Sequence, residues 1–230
     1  AVIIADIDMD VATDTVREIE TKGGKAIAIQ TDVTQGNEVN RMAEKTIKQF
    51  GRIDILVNNA GLSEPHPTID LTEADWDRII DGNLKATFLC SQAVGRQMIQ
   101  QKSGKIVSIA SIVAHSAHPT QAPYCAGKAG VISLTRVLAM EWGKYNIHVN
   151  SVSPGAVETP RMAKFRKENP NFLEGRLEAT PFHRFITPEE VANVVLFLVS
   201  SDSNAITGAD IRVDVGSSAI WTGALRELRK

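Results

Sequence analysis

At 230 residues with 43% apolar and 5% aromatic content, the chain can bury one sizeable core, and a single α/β domain is the expectation. Its 25 Lys and Arg against 27 Asp and Glu leave a net charge of −2 with no basic stretch, which argues against nucleic acid or a membrane surface as partner. No apolar run approaches the ~20 residues of a membrane span, no positively charged signal region opens the chain, and Cys90 and Cys125 read as buried thiols of a reducing compartment, so a soluble, cytoplasmic protein is expected.

In chain order, short β-rich runs fall at residues 1–5, 26–29, 53–57, 106–109, 147–152 and 211–213, separated by helix-length amphipathic segments. Gly23-Gly24 reads as the cap that ends the first helix. Apolar strands joined by crossovers long enough to hold a helix build a parallel sheet covered on both faces, so the expected fold is a doubly wound α/β sheet. Right-handed crossovers put the strand C-terminal ends on one edge, where ligands bind in open sheets. Asp6, Asp32, Asn58, Ser111 and Pro154 are all expected there. Residues 158–187 break the alternation, being long, mixed in charge and marked by Pro160, Pro170 and Pro181. A loop of that length in a compact domain is usually functional, and a subunit-contact insertion is the alternative. Residues 223–230 form a short basic tail.

The chemistry concentrates in Tyr124-Cys125-Ala126-Gly127-Lys128. Residues i and i+4 share a helix face, so the ammonium of Lys128 can lie near the phenol of Tyr124 and favour its ionised form. Moving a tyrosine from its reference pKa of ~10 to near ~7 takes about 4 kcal/mol. An isolated Tyr-x-x-x-Lys would be an ordinary helix face with a snorkelling lysine. Here it is accompanied by Ser111 thirteen positions upstream, by Asn58-Asn59-Ala60-Gly61 after an apolar run, by Asn83 within a helical segment and by Pro154-Gly155 after a strand-like run. Taken together, in this order and spacing, these resemble the short-chain dehydrogenase/reductase family, through essentially the whole chain to about Gly216.

That resemblance implies a Rossmann-type dehydrogenase with a tetrad of Asn83, Ser111, Tyr124 and Lys128. Ser111 would hydrogen-bond the substrate oxygen, with Ser108 as second choice; Tyr124 would transfer the proton; Lys128 would grip the nicotinamide ribose. Asn83 would hold a helix kink and a water that passes protons to Lys128. For the cofactor it implies Asp6 at the adenosine ribose, Asp32 and Val33 at the adenine, and Asn59, Ala60 and Gly61 lining the ribose. Tyr124, Lys128, Pro154, Gly155, Val157 and Thr159 would lie around the nicotinamide. A carboxylate at Asp6 repels a 2′-phosphate and no Arg or Lys stands between Asp6 and Val16, so NAD is expected over NADP. The family's opening strand and glycine-rich phosphate turn have no counterpart, and the chain begins at what looks like the family's second strand. Neighbouring strand edges would then be left unpaired. Residue 1 is therefore not expected to be the natural start, and a naturally shortened, inactive relative is the other reading.

His115 and His118, three apart, lack a third ligand of convincing spacing, so no metal is expected. With Gln121 they are expected to line a substrate pocket, and Glu64, His66, Glu158 and His183 could add polar groups suited to a polyol or sugar. Residues 158–187 would cover it. The competing enzyme reading is a ketone or 3-oxoacyl-thioester reductase using NADPH, and a non-catalytic relative is a third. A homo-oligomer, by family resemblance a tetramer, is expected.

Overall fold

The computed structural model describes residues 1–168, 177 and 180–219. The tail at 223–230 and the segments 169–176 and 178–179 of the long loop lie outside the described residues. Among the described residues six strands form: β1 (Val2–Asp6), β2 (Ala26–Gln30), β3 (Ile55–Asn58), β4 (Gly104–Ile109), β5 (Ile147–Pro154) and β6 (Asp210–Val213). Every strand pair is parallel. The α-helices lying wholly within the described residues are α1 (Met9–Thr21), α2 (Gly36–Phe50), α3 (Glu73–Ile80), α4 (Ala86–Gln101), α5 (Ala122–Trp142), α6 (Pro160–Glu168) and α7 (Pro188–Val199). The alternation read from the sequence is the alternation observed, giving a Rossmann-like α/β fold. Expected and observed strand bounds differ by up to two residues, and β3 begins at Ile55 instead of residue 53. Gln101 supplies the reason: its side chain binds both the N–H (2.9 Å) and the carbonyl (2.8 Å) of Ile53, satisfying that backbone from a helix end.

The central strands alternate their faces with period two. Ile106, Ile147 and Val149 pack under Val94 and Met98 of α4 and Leu138 and Ala139 of α5. Val107 and Val152 point the other way, against Leu198 of α7. The sheet is hydrogen-bonded in two sets, β1–β2 and β3–β4–β5–β6. A cluster of Ile29, Val39, Met42, Ala43, Cys90 and Ala93 joins the two sets from one side, with Ile3, Ala5, Val33 and Leu56 packed against it. The facing edges of β1 and β3 are unpaired with each other, and Val2, Ile55 and Val57 are 46%, 46% and 41% exposed. Apolar side chains on strands paired at both edges are usually buried, and these three are not.

Local chemistry sets the element ends that shape the site. Asp8 caps α1 by accepting from the backbone of Asp10 (3.0 Å) and Val11 (3.2 Å). Gly23 follows its C-terminus at φ 80°, the left-handed region that glycine enters without penalty. Thr187 and Glu190 close a capping box at α7. Among the described residues no helix is long and apolar enough to cross a membrane.

Candidate active site

Ser111 follows β4 and opens a single 3-10 turn at Ile112–Ala114. Tyr124 and Lys128 lie one turn apart at the start of α5, whose first turn holds Pro123, a residue preorganised for that position. Asn83 sits in a π-turn, Asp81–Lys85, between α3 and α4. Its side-chain amide donates to the carbonyls of Ile79 (2.7 Å) and Leu62 (2.8 Å), and Thr87 donates to its carbonyl at 2.7 Å. Side-chain bonds of this kind compete with the helical ladder and widen it. Its Oδ1 is buried without a hydrogen-bond partner. A Cβ built on Gly61 would stand 2.8 Å from that oxygen and 3.3 Å from Lys128 Nζ, so both atoms border the space beside Gly61.

These four side chains meet around a cleft of about 280 Å³, lined also by Asn59, Gly61, Leu62, Ser63, Ile109, Pro154, Gly155 and Val157. Leu62, Ser63 and Ile109 are members that sequence reasoning did not single out, although each adjoins a motif it did. A larger cavity, about 380 Å³, lies at the opposite ends of the strands beside Asp54, Lys105, His148 and Asn204. Its lysine is engaged by the Ser200 carbonyl, Ser203 Oγ and Asn204 Oδ1. We place the chemistry in the smaller cleft because the convergent polar groups are there.

Electrostatics corrects one expectation. Lys128 is only 4% exposed, and burial lowers its pKa to about 8. Its ammonium donates to the Ile109 carbonyl at 2.7 Å and lies 5.7 Å from the Tyr124 ring centroid. Tyr124 is pushed up, not down: burial raises its pKa, a hydrogen bond with Ser111 works against that, and Cys125 adds to the rise. Desolvation disfavours the charged form of each group, so the protein alone favours the neutral phenol.

Along the rest of the edge, Asp6 ends β1 and accepts from the Asp8 amide at 2.9 Å through one carboxylate oxygen. Asp32 Oδ1 accepts from the amide and hydroxyl of Thr34, at 2.9 and 2.7 Å, while Val33 packs on the cluster beneath β2. Asn58 proves structural, its amide donating 3.0 Å bonds to Ser91 and Ser108. That bond occupies Ser108, buried to 2% exposure, and leaves Ser111, of these two serines, at the cleft. Ala60 is exposed beside Gly61. Gly155 packs so closely that a Cβ would come 3.1 Å from Asp214 Cα. Val157 bridges to Ile186 through the carbonyl of Ala156 and the amide of Glu158, which turns its own N–H to the other side. Thr159 caps α6, its hydroxyl accepting from the Met162 amide at 3.1 Å.

The predicted substrate residues separate. Among the described residues lining the cleft, His115, His118 and Gln121 are absent. His115 Nε2 lies 2.7 Å from Asp210 Oδ2, and His118 Nδ1 lies 2.9 Å from the Pro119 carbonyl. Glu64 is held by a two-pronged bond from Arg78 at 2.8 and 2.7 Å, which keeps its carboxyl below the ordinary range. His66 instead ties two loops, its amide donating to Thr120 at 2.8 Å.

Parallel strands with helices on both sides, and a polar cleft at their C-terminal ends, define a Rossmann-like nucleotide-dependent enzyme. The family profile described as enoyl-(acyl carrier protein) reductase matches residues 1–218. The (2S)-[(R)-hydroxy(phenyl)methyl]succinyl-CoA dehydrogenase subunit BbsD of Thauera aromatica is 42% identical over 218 residues, 95% of this chain and 86% of that protein. The 3-oxoacyl-[acyl-carrier-protein] reductase FabG of Thermotoga maritima is 40% identical over 215 residues, 94% of this chain and 86% of its own. A gluconate 5-dehydrogenase from Burkholderia cenocepacia, solved with NADP and tartrate, superposes with a TM-score of 0.88 at 31% identity, covering 95% of this chain and 86% of that one. The chain belongs to the short-chain dehydrogenase/reductase family. It is an NAD(P)-dependent oxidoreductase acting on CH–OH or C=O groups.

Proposed function

We propose that the chain moves a hydride between NAD(H) and a secondary alcohol or its ketone, with a polyol or sugar as the substrate class. The observation that carries this reading is the meeting of Asn83, Ser111, Tyr124 and Lys128 at one cleft. Ser111 positions the substrate oxygen and Tyr124 gives or takes its proton. A phenol held neutral by burial suits the donor role in ketone reduction. The unpartnered Oδ1 of Asn83 and the ammonium of Lys128, both bordering the space beside Gly61, can share a water that returns the proton to Tyr124.

The residues present fit the cofactor's nicotinamide and ribose. Gly61 and Gly155 leave room where a Cβ would crowd Asn83 or Asp214. Asn59, Ala60, Pro154, the Val157 amide and Thr159 complete that wall, and Asp6, Asp32 and Val33 would meet the adenosine end. When bound, the cofactor supplies the hydride exchange and, oxidised, a positive ring that favours tyrosinate. Asp6 supports NAD, because a carboxylate accepts from ribose hydroxyls and repels a 2′-phosphate. Residues 1–230 are read as one dehydrogenase domain. Residues 158–187 are its substrate cover, their base closed by the bridge of Val157 to Ile186, with His118 and Gln121 as outer substrate contacts. A homo-oligomer, by resemblance a tetramer, is supported by Phe88, Val137 and Met140, exposed by 42%, 47% and 86% on α4 and α5.

The likeness to the Thermotoga reductase favours a second reading, reduction of a 3-oxoacyl thioester with NADPH. Turnover of a hexitol with NAD, set against acetoacetyl-CoA with NADPH, separates the two. For the mechanism itself, Tyr124→Phe should lower turnover by about 10²- to 10⁴-fold while NADH binding, followed by nicotinamide fluorescence, persists. An unchanged rate would overturn the assignment.

A further inference from the structure

One polar cluster outside the cleft is built more heavily than sheet stability requires. Asp210 opens β6 in register with Ser151 of β5, and its side chain is 6% exposed. Ser151 and Ser153, two apart and so on one face of β5, donate to its Oδ1 at 2.6 and 2.9 Å, and Ser153 also lies 2.9 Å from Oδ2. These hydroxyls already give the buried carboxylate the partners it needs. The further donor comes from outside this strand pair, from His115 on the turn after β4, at 2.7 Å. A carboxylate only accepts, so Nε2 carries the proton. Because β5 lies between β4 and β6, this bond spans a whole strand.

What it reaches back to is the turn that begins with Ser111. That turn is internally tied: Ala114 N–H donates to the Ser111 carbonyl at 3.0 Å, His115 N–H to Ile112 at 3.0 Å, and Ser116 Oγ to Ile112 at 3.2 Å. A turn so cross-linked moves as a unit, so fixing its far end at β6 fixes its near end. The near end holds the Ser111 hydroxyl, which lines the cleft together with Tyr124. The geometry points to His115 and Asp210 as a positioning pair that holds Ser111 against Tyr124 by anchoring the 3-10 turn across β5. This rests on the proposed roles of Ser111 and Tyr124, and it removes His115 from direct substrate contact.

The test reads Tyr124 itself and needs no substrate. The chain has two tyrosines, so in a Tyr145→Phe background the ultraviolet absorbance of tyrosinate titrates Tyr124 alone. Lys128 and Cys125, its titratable neighbours, stay the same in every variant. His115→Phe should make the phenol about tenfold weaker as an acid, since a displaced Ser111 no longer supports the anion. His115→Gln, whose amide can still donate to Asp210, should restore it. Alongside, kcat for 2,3-butanedione reduction should fall on the order of 10- to 100-fold in His115→Phe with the KM for NADH unchanged. Identical titrations in all three proteins, with only the melting temperature lowered, would make the pair a simple staple and overturn the proposal. Should His115→Phe not fold, Asp210→Asn is read the same way. A wild type that turns over neither ketone nor alcohol, yet shows the Tyr124 shift, would count against the functional reading and leave the positioning pair standing.

Discussion

Along β4 and β5 the strands are paired on both sides, and nearly every residue of β5 is buried between α5 and α7. Beside them the Asn83 side chain is held by two bonds, to the carbonyls of Ile79 and Leu62, and the Lys128 ammonium by one, to Ile109. β1 and β2 pair only with each other, and among the described residues their link to β3–β6 runs through one apolar cluster under α2 and α4. Asp6 at the end of β1 is pinned by a single local bond. The contrast teaches that the four residues at the cleft are shaped by their own half of the sheet, while the end proposed for the adenosine depends on a weaker neighbour.

The broadest way to break this comparison is native-state amide exchange. Opening free energies within one protein range from near zero to the global value. Amides of β1 and β2 should exchange on the order of 10³-fold faster than those of β4 and β5. Equal protection would mean that the two halves open together. Next in size, Gly61→Ala puts a methyl 2.8 Å from Asn83 Oδ1, an atom on a side chain fixed by two bonds, and 3.3 Å from Lys128 Nζ. Turnover should drop about 10- to 100-fold with little change in melting temperature, because the crowding is confined to the tetrad. Asp6→Ala probes the weaker half. Losing a charge-assisted bond should cost roughly tenfold in NADH affinity and leave NADPH less affected, measured by calorimetry. Equal losses would undo the preference for NAD.

The smallest effect is a pH dependence of stability. Burial lowers Lys128 from 10.5 to about 8, so between those values the unfolded chain still holds a proton that the folded chain has released. Stability therefore rises with pH through this window, and the penalty is fully present below it. Cys90 acts oppositely from pH 9 upward, since burial raises its thiol from 9.0 to about 11. Between pH 8 and 9, urea unfolding of the wild type should gain about 1 kcal/mol relative to Lys128→Met. A flat difference would mean that Lys128 is hydrated in the folded protein.

Much of this was legible in the chain. Short, continuous apolar runs bounded by helical segments placed every strand to within two residues of its observed ends, because burial on both faces calls for apolar residues at successive positions. That Tyr124 and Lys128 share a helix face was legible from their spacing, while Asn83 and Ser111 joined them through the family resemblance. Less legible were contacts between residues far apart in sequence. His115 looked like a pocket residue until Asp210, ninety-five positions on, claimed its imidazole. Glu64 looked like a substrate group until Arg78 took it. Ser108 and Ser111 differed only in spacing until the Asn58 amide took Ser108 for the interior.

By itself, then, the sequence determined the order of elements, the edge at which the chemistry lies and the four residues that meet there, since periodicity and motif spacing are local properties of a chain. The direction of the Tyr124 shift and the partner of His115 were decided only in three dimensions. Desolvation and hydrogen bonding depend on which atoms surround a group, and folding brings those atoms from strands and turns that the chain keeps far apart.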